Sequence, residues 1–173
     1  DLRVECADQP TPLEPLTVLS GLRQLDLSGA DVSSIAPLGQ LPTLARLDLH
    51  DTGVSNLAPL SQARELTWLD VHSTKVSSLA PVAKLPRLAS IDAGDTPLAD
   101  VTPLAASRSL ESLWLPGTRV TNLAPLASIP SLRELMVPRT CDGPGVAALH
   151  RARPALRILA WVEKSEAEDP SCY

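Results

Sequence analysis

Four aspartates recur at intervals of 22 residues in the first part of the chain: Asp26, Asp48, Asp70 and Asp92. Two histidines, His50 and His72, each follow one of these aspartates by two residues. Carboxylate oxygens and imidazole nitrogens bind divalent cations such as Zn²⁺, and they also carry out general acid–base catalysis. A structural unit that repeats with the same period would bring these residues together.

The rest of the sequence repeats with this period. Prolines recur at Pro15, Pro37, Pro59, Pro81, Pro103 and Pro125. A Leu-x-x-Leu-x-Leu pattern stays in phase with them, beginning at Leu22, and most copies have a Thr three residues later. The last two apolar positions alternate, as in a strand with one buried face. Because one such unit cannot bury its apolar side alone, the units must stack and their strands must form a parallel sheet.

The repeat Leu-x-x-Leu-x-Leu-x-x-Thr-x-Val-x-x-Leu-x-Pro-Leu resembles a leucine-rich repeat. Its length and the Ala-Pro-Leu-Ala-x-Leu-Pro-x-Leu run are similar to the short internalin-type class, which is common in bacteria. The resemblance covers residues 13–162. It implies an α/β solenoid, a leucine-rich repeat arc with a parallel β-sheet on the concave face and mostly 3₁₀ turns on the convex face. Proline suits such turns because its φ is fixed. We expect the Thr residues to hydrogen-bond the next coil as a ladder.

The ends of the chain depart from the regular repeat. We predict a single domain over residues 1–173, with an N-terminal cap over 1–14, regular repeats over 15–140, and a C-terminal helical repeat and cap over 141–173. The last repeat, similar to the ribonuclease-inhibitor type, is predicted to contain an α-helix after Asp142. Leu159 is predicted to occupy the inward position of Leu135, and Trp161 to cover the last coil.

Composition excludes several classes of function. The net charge of −5 and the pI of about 5.1 argue against nucleic acid as the main partner, which needs clustered Lys and Arg. No apolar run approaches the ~20 residues that span a bilayer, so no membrane insertion is expected. No Gly-rich phosphate loop follows a strand, and an open sheet offers no closed pocket. The sequence therefore predicts a protein without enzymatic activity or a cofactor, and we expect a monomer. The chain begins at Asp1 without Met, so we expect a processed product or a fragment.

The outward positions of the predicted strands form a divided face. The aspartate row continues into Trp114 and Met136, and Trp68 lies on an adjacent outward row. Exposed Trp on a rigid surface is typical of binding hot spots. We predict a protein partner that brings a basic segment and an apolar anchor to this concave face. The predicted partner-binding residues are Trp68, Trp114, Met136, Asp26, Asp48, Asp70, Asp92, His50 and His72.

Two alternatives stay open for the aspartate row. Like charges about 5 Å apart repel by ~3 kcal/mol at an effective dielectric constant of 20, and a bound cation would relieve that repulsion. His50 and His72 with Asp48 and Asp70 offer ligands for such a metal, although nothing in the sequence forces the side chains to converge. Alternatively, the aspartates are simply the polar consensus of an exposed row.

The three cysteines, Cys6, Cys141 and Cys172, bear on the compartment. Six strand spacings put Cys6 about 29 Å from Cys141, far beyond the ~7 Å limit for the Cα atoms of a disulfide. Cys141 and Cys172 are close enough in the repeat to be a candidate disulfide. That disulfide would favour a secreted, periplasmic or cell-surface location, whereas free thiols would fit the cytoplasm.

The disulfide prediction can be tested by thiol alkylation of the unfolded, unreduced protein. If Cys141 and Cys172 are joined, the reagent labels Cys6 alone, because only that sulfur is a free thiol. Mass spectrometry of the peptides reads the outcome. Labelling of all three cysteines would remove the argument for an oxidising compartment.

Overall fold

A computed structural model describes residues 1–3, 12–138 and 143–160 of the chain. Several sequence predictions lie outside these ranges: the Cys141–Cys172 disulfide, the place of Cys6, the Trp161 cap and the last Thr of the predicted ladder, Thr140.

The strands of the repeats form one parallel sheet in chain order. Within the described ranges the strands are β1 (Leu2–Arg3), β2 (Gln24–Asp26), β3 (Arg46–Asp48), β4 (Trp68–Asp70), β5 (Ser90–Asp92), β6 (Ser112–Trp114), β7 (Glu134–Val137) and β8 (Arg157–Ala160). The register from β2 to β7 follows the 22-residue period, so Leu25 pairs with Leu47, and Leu47 with Leu69. The predicted solenoid is confirmed.

The opposite side of the stack carries short 3₁₀ helices. They span Glu14–Val18, Ala36–Gln40, Ala58–Gln62, Thr102–Ala106 and Ala124–Ser128, and each has its proline in the first turn. At Pro81 the chain forms hydrogen-bonded turns instead, with the Val82 amide donating to the Leu79 carbonyl at 3.1 Å. The insertion in the last repeat contains the predicted α-helix, α1 (Gly143–Ala152).

The core is a continuous column of inward Leu, Val and Ile side chains between the sheet and the 3₁₀ helices. Leu47 and Leu69, one above the other on β3 and β4, have no exposed surface. Beyond the last regular coil, the guanidinium of Arg153 donates to the backbone carbonyls of Ile129 and Leu132. This contact ties the end of α1 to the stack.

The predicted threonine ladder between coils is wrong. Thr52 and Thr74 are buried, and each hydroxyl donates to the carbonyl three residues earlier in its own coil, at 2.7 Å from the Leu49 oxygen and 2.6 Å from the Val71 oxygen. The residue before each Thr has a positive φ, 55° at Asp51 and 54° at Ser73, which turns the chain back on itself. This turn places each hydroxyl within hydrogen-bond distance of a carbonyl in its own coil and not of one in the next coil.

The last repeat is shifted by one residue from the predicted register. Leu135 pairs with Ile158, and Met136 pairs with Leu159, so the offset is 23 residues and not 24. Only one residue separates Leu156 from the next inward position, whereas two separate Leu132 from Leu135. The prediction that Leu159 points inward is therefore wrong: Ile158 packs against the core, and Leu159 extends the outward row.

The stacked core predicts the cost of opening a cavity in one coil. Leu69→Ala removes a fully buried side chain and is expected to lower the free energy of unfolding by about 2–5 kcal/mol. Gln62→Ala, at an exposed position of a 3₁₀ helix, is the control and is expected to stay within about 0.5 kcal/mol of the parent chain. Urea denaturation followed by circular dichroism measures both. A loss below about 1 kcal/mol for Leu69→Ala would contradict the observed register.

Candidate functional site

The sheet brings the predicted aspartates together on its concave face. Asp26, Asp48, Asp70 and Asp92 end consecutive strands and are register partners of one another. We call these four residues the acidic sector. The same row continues through Trp114, Met136 and Leu159, which pair in register on β6, β7 and β8. We call these three residues the apolar sector.

Each aspartate accepts a hydrogen bond from the backbone amide two residues later. The Oδ1 atoms of Asp48, Asp70 and Asp92 lie 2.9, 2.8 and 2.9 Å from the amide nitrogens of His50, His72 and Gly94. The Oδ1 of Asp26 accepts in the same way from the amide of Ser28 at 3.0 Å. These are Asx turns, in which the carboxylate satisfies the amide of the second residue beyond the strand. The acidic sector therefore has a structural role in every coil that carries it.

Proline explains where the acidic sector ends. The residues two positions after Trp114 and Met136 are Pro116 and Pro138, which have no N–H to donate. These coils need no carboxylate at the strand end, so the position is free for an apolar side chain. The signal is visible in the sequence, as Asp-x-Ser, Asp-x-His or Asp-x-Gly in one group and Trp-x-Pro or Met-x-Pro in the other. Sequence reasoning missed the connection.

Asp70 is a member of the acidic sector whose pKa is raised. Burial raises the pKa of the Asp70 carboxyl, and the Asp92 and Asp48 carboxylates on the neighbouring strands raise it further. The amide hydrogen bond from His72 lowers the pKa, and so does His50, but the net shift is upward. The repulsion expected from the sequence is therefore present at this member of the row.

The two histidines contact each other and not a common centre. Their ring centroids are 5.0 Å apart in an edge-to-face arrangement. His72 Nε2 lies 3.2 Å from Asp95 Oδ2, and its Nδ1 lies 3.7 Å from Asp92 Oδ1. The ring occupies the space over Gly94, where a Cβ would come within 2.5 Å of Nδ1. Within the described part of the chain, no group of three or more His, Cys, Asp or Glu side chains is arranged to hold a metal ion.

Trp68 lies beside the acidic sector and is packed rather than free. The Arg46 guanidinium sits 4.7 Å from the centroid of the Trp68 ring, within range of a cation–π contact. Both residues line a shallow pocket of about 410 Å³ with Asp26 and Asp48. Trp68 and Trp114 are half-buried, so the expectation that these indoles stand exposed on the face is only partly met.

Comparison with known proteins shows a similarity of fold to solved structures. No family model and no curated protein sequence matches the chain. An internalin, InlF, from Listeria monocytogenes matches with a TM-score of 0.75 and 24% identity over 87% of this chain and 50% of that one. Internalin C2 of the same organism gives a TM-score of 0.78 and 21% identity, over 94% of this chain and 74% of that one. A leucine-rich repeat protein of Leptospira interrogans gives a TM-score of 0.79 and 18% identity, over 87% of this chain and 40% of that one.

The chain therefore has the fold of an internalin-type leucine-rich repeat protein. It spans half the length of the InlF internalin. Among the described residues, no helix has the length and apolar character needed to cross a membrane.

The raised pKa of Asp70 predicts a pH-dependent difference between two variants. Since the folded state disfavours the charged carboxylate, Asp70→Asn is expected to be more stable than the parent chain at pH 7. The difference shrinks as pH falls through the raised folded-state pKa, and it vanishes below the unfolded value of about 3.9. Thermal or urea unfolding across this pH range measures it.

Asp70→Ala is the matched control, because it removes both the charge and the acceptor for the His72 amide. Losing that hydrogen bond is expected to cost about 1 kcal/mol relative to Asp70→Asn. Equal stability of the Asn and Ala variants at all pH values would show that the Asx turn contributes nothing to the fold.

Proposed function

We propose that the chain is a non-catalytic recognition module that binds a protein partner on the concave face of its sheet. The partner brings a basic segment to the acidic sector and a bulky apolar side chain to the apolar sector. The observation that carries the proposal is the register of β5 with β6, where Asp92 lies directly beside Trp114. Charge and apolar surface thus meet within one strand spacing.

The composition of the apolar sector supports a binding role. Pro116 and Pro138 remove the need for a carboxylate, but they do not require Trp or Met in its place. A small polar residue would satisfy an outward position equally well. Instead, three consecutive strands carry large apolar side chains that are only half-buried. When a partner covers such a patch, the removal of apolar surface from water stabilises the complex.

The Arg46–Trp68 pair supports a second contact at the N-terminal end of the face. Stacking under the Arg46 guanidinium restricts the Trp68 indole before any partner arrives. A side chain that is already ordered loses less conformational entropy on binding. Gln24 and Asp48 line the same shallow pocket, so a partner group placed there meets polar and aromatic surface together.

The proposal includes an extracytoplasmic location and a monomeric, single-domain module over residues 1–173. The candidate Cys141–Cys172 disulfide and the likeness to internalins support the location, and the alkylation experiment tests the disulfide. The cation-binding alternative has no equivalent support, because His72 is directed to Asp95 and Asp92 rather than to a shared ligand position with His50.

The apolar sector predicts the effect of removing its largest side chain. A partner is first captured from a lysate or culture medium on the immobilised chain, and its kinetics are then measured by surface plasmon resonance. Trp114→Ala is expected to speed dissociation and to weaken binding by about 2 kcal/mol or more, because a buried anchor acts mainly on the dissociation rate.

The acidic sector predicts a different kinetic signature. Asp48→Asn combined with Asp70→Asn keeps both amide acceptors but removes two charges, so association is expected to slow and its salt dependence to flatten. Gln62→Ala and Lys84→Ala, exposed on the convex side, serve as controls. If the convex variants abolish binding while the concave variants do not, the proposed face is wrong.

A further inference from the structure

The concave row sets a spacing that a partner must match. Its members occupy equivalent positions on consecutive parallel strands, so neighbouring positions repeat every ~4.8 Å. The row runs across the strands from Asp26 to Leu159. A ligand that contacts several members along this line must present side chains at nearly the same interval.

An extended partner segment does not fit this interval. In a strand, side chains on one face repeat every ~6.7 Å, so a strand laid along the row drifts by about 6 Å over the three steps from Asp26 to Asp92. An α-helix returns a side chain to the same face about every 5.4 Å. Its drift over the same three steps is about 2 Å, which a flexible Lys or Arg side chain can absorb.

The rows on both sides leave room for a helix at the junction of the two sectors. Beside Asp92 and Trp114 the neighbouring outward row has the small residues Ser90 and Ser112. On the other side lie Pro116, which is buried, and Gly94, which has no side chain and is covered by the His72 ring. A helix is about 10 Å across with its side chains, so the side chains on both sides of its line of contact must be small.

Building on the proposed function, we propose that the partner element is a basic amphipathic α-helix lying across the strands. One bulky apolar side chain of this helix packs on the apolar sector. Lys or Arg residues three or four positions apart on the same face then meet the carboxylates of the acidic sector in successive coils.

Two fluorescein-labelled synthetic probes test the helical geometry. The helical probe is an Ala-rich, lactam-stapled peptide of about four turns, with Lys at about four, seven and eleven positions after a Trp, so that all four side chains lie on one face. The extended probe has the same residues reordered so that Lys alternates along the chain. Circular dichroism verifies the two conformations, and fluorescence anisotropy at low and moderate salt gives the dissociation constants with the intact 173-residue chain.

The helical probe is expected to bind at least about tenfold more tightly than the extended probe. Trp114→Ala, and Asp48→Asn combined with Asp70→Asn, are each expected to weaken it by about tenfold or more, while Lys84→Ala leaves it unchanged.

Equal or tighter binding of the extended probe, still sensitive to the concave variants, would overturn the helical partner and leave the recognition proposal standing. If the concave variants leave the dissociation constants of both probes unchanged, the helical partner is also overturned. The kinetics of the captured partner would then decide the recognition proposal separately.

Discussion

Each 22-residue coil carries an apolar inner side that only the coils above and below it can cover. Leu47 and Leu69 show this directly, because each is fully buried and lies in register with its neighbour. The same stacking aligns the backbones of successive strands as a parallel sheet. Once the inward positions are aligned, the outward positions are aligned as well. The rows of the concave face are thus a consequence of burying the leucines.

A second constraint acts where each strand ends. The amide two residues after each position of the concave row from Asp26 to Met136 needs an acceptor, and the coil either supplies an Asp carboxylate or replaces the amide with proline. Asp48 with His50 represents the first solution, and Trp114 with Pro116 the second. The change from acidic to apolar surface between β5 and β6 therefore follows a change in backbone chemistry. The two solutions leave surfaces with opposite affinities for water, and the proposed partner must match both.

The backbone role of the aspartates and their role in recognition do not exclude each other. An Asx turn fixes each carboxylate in one orientation, and fixed charges attract a partner without losing side-chain entropy on binding. The cost appears at Asp70, whose pKa is raised by burial and by its carboxylate neighbours. A basic partner would lower that cost by placing positive charge beside the row.

The sequence alone determined the period, the inward and outward positions and the parallel sheet, because a 22-residue repeat of leucines has one way to bury its apolar side. It also placed the acidic sector, Trp114 and Met136 on one face, since register follows from the period. Only the tertiary structure decided the direction of the Thr52 hydroxyl, which depends on a positive φ at Asp51. It also decided that Leu159 faces outward, because Leu156 is followed by the next inward position after one residue instead of two, and a shift of one residue in a strand exchanges its two faces.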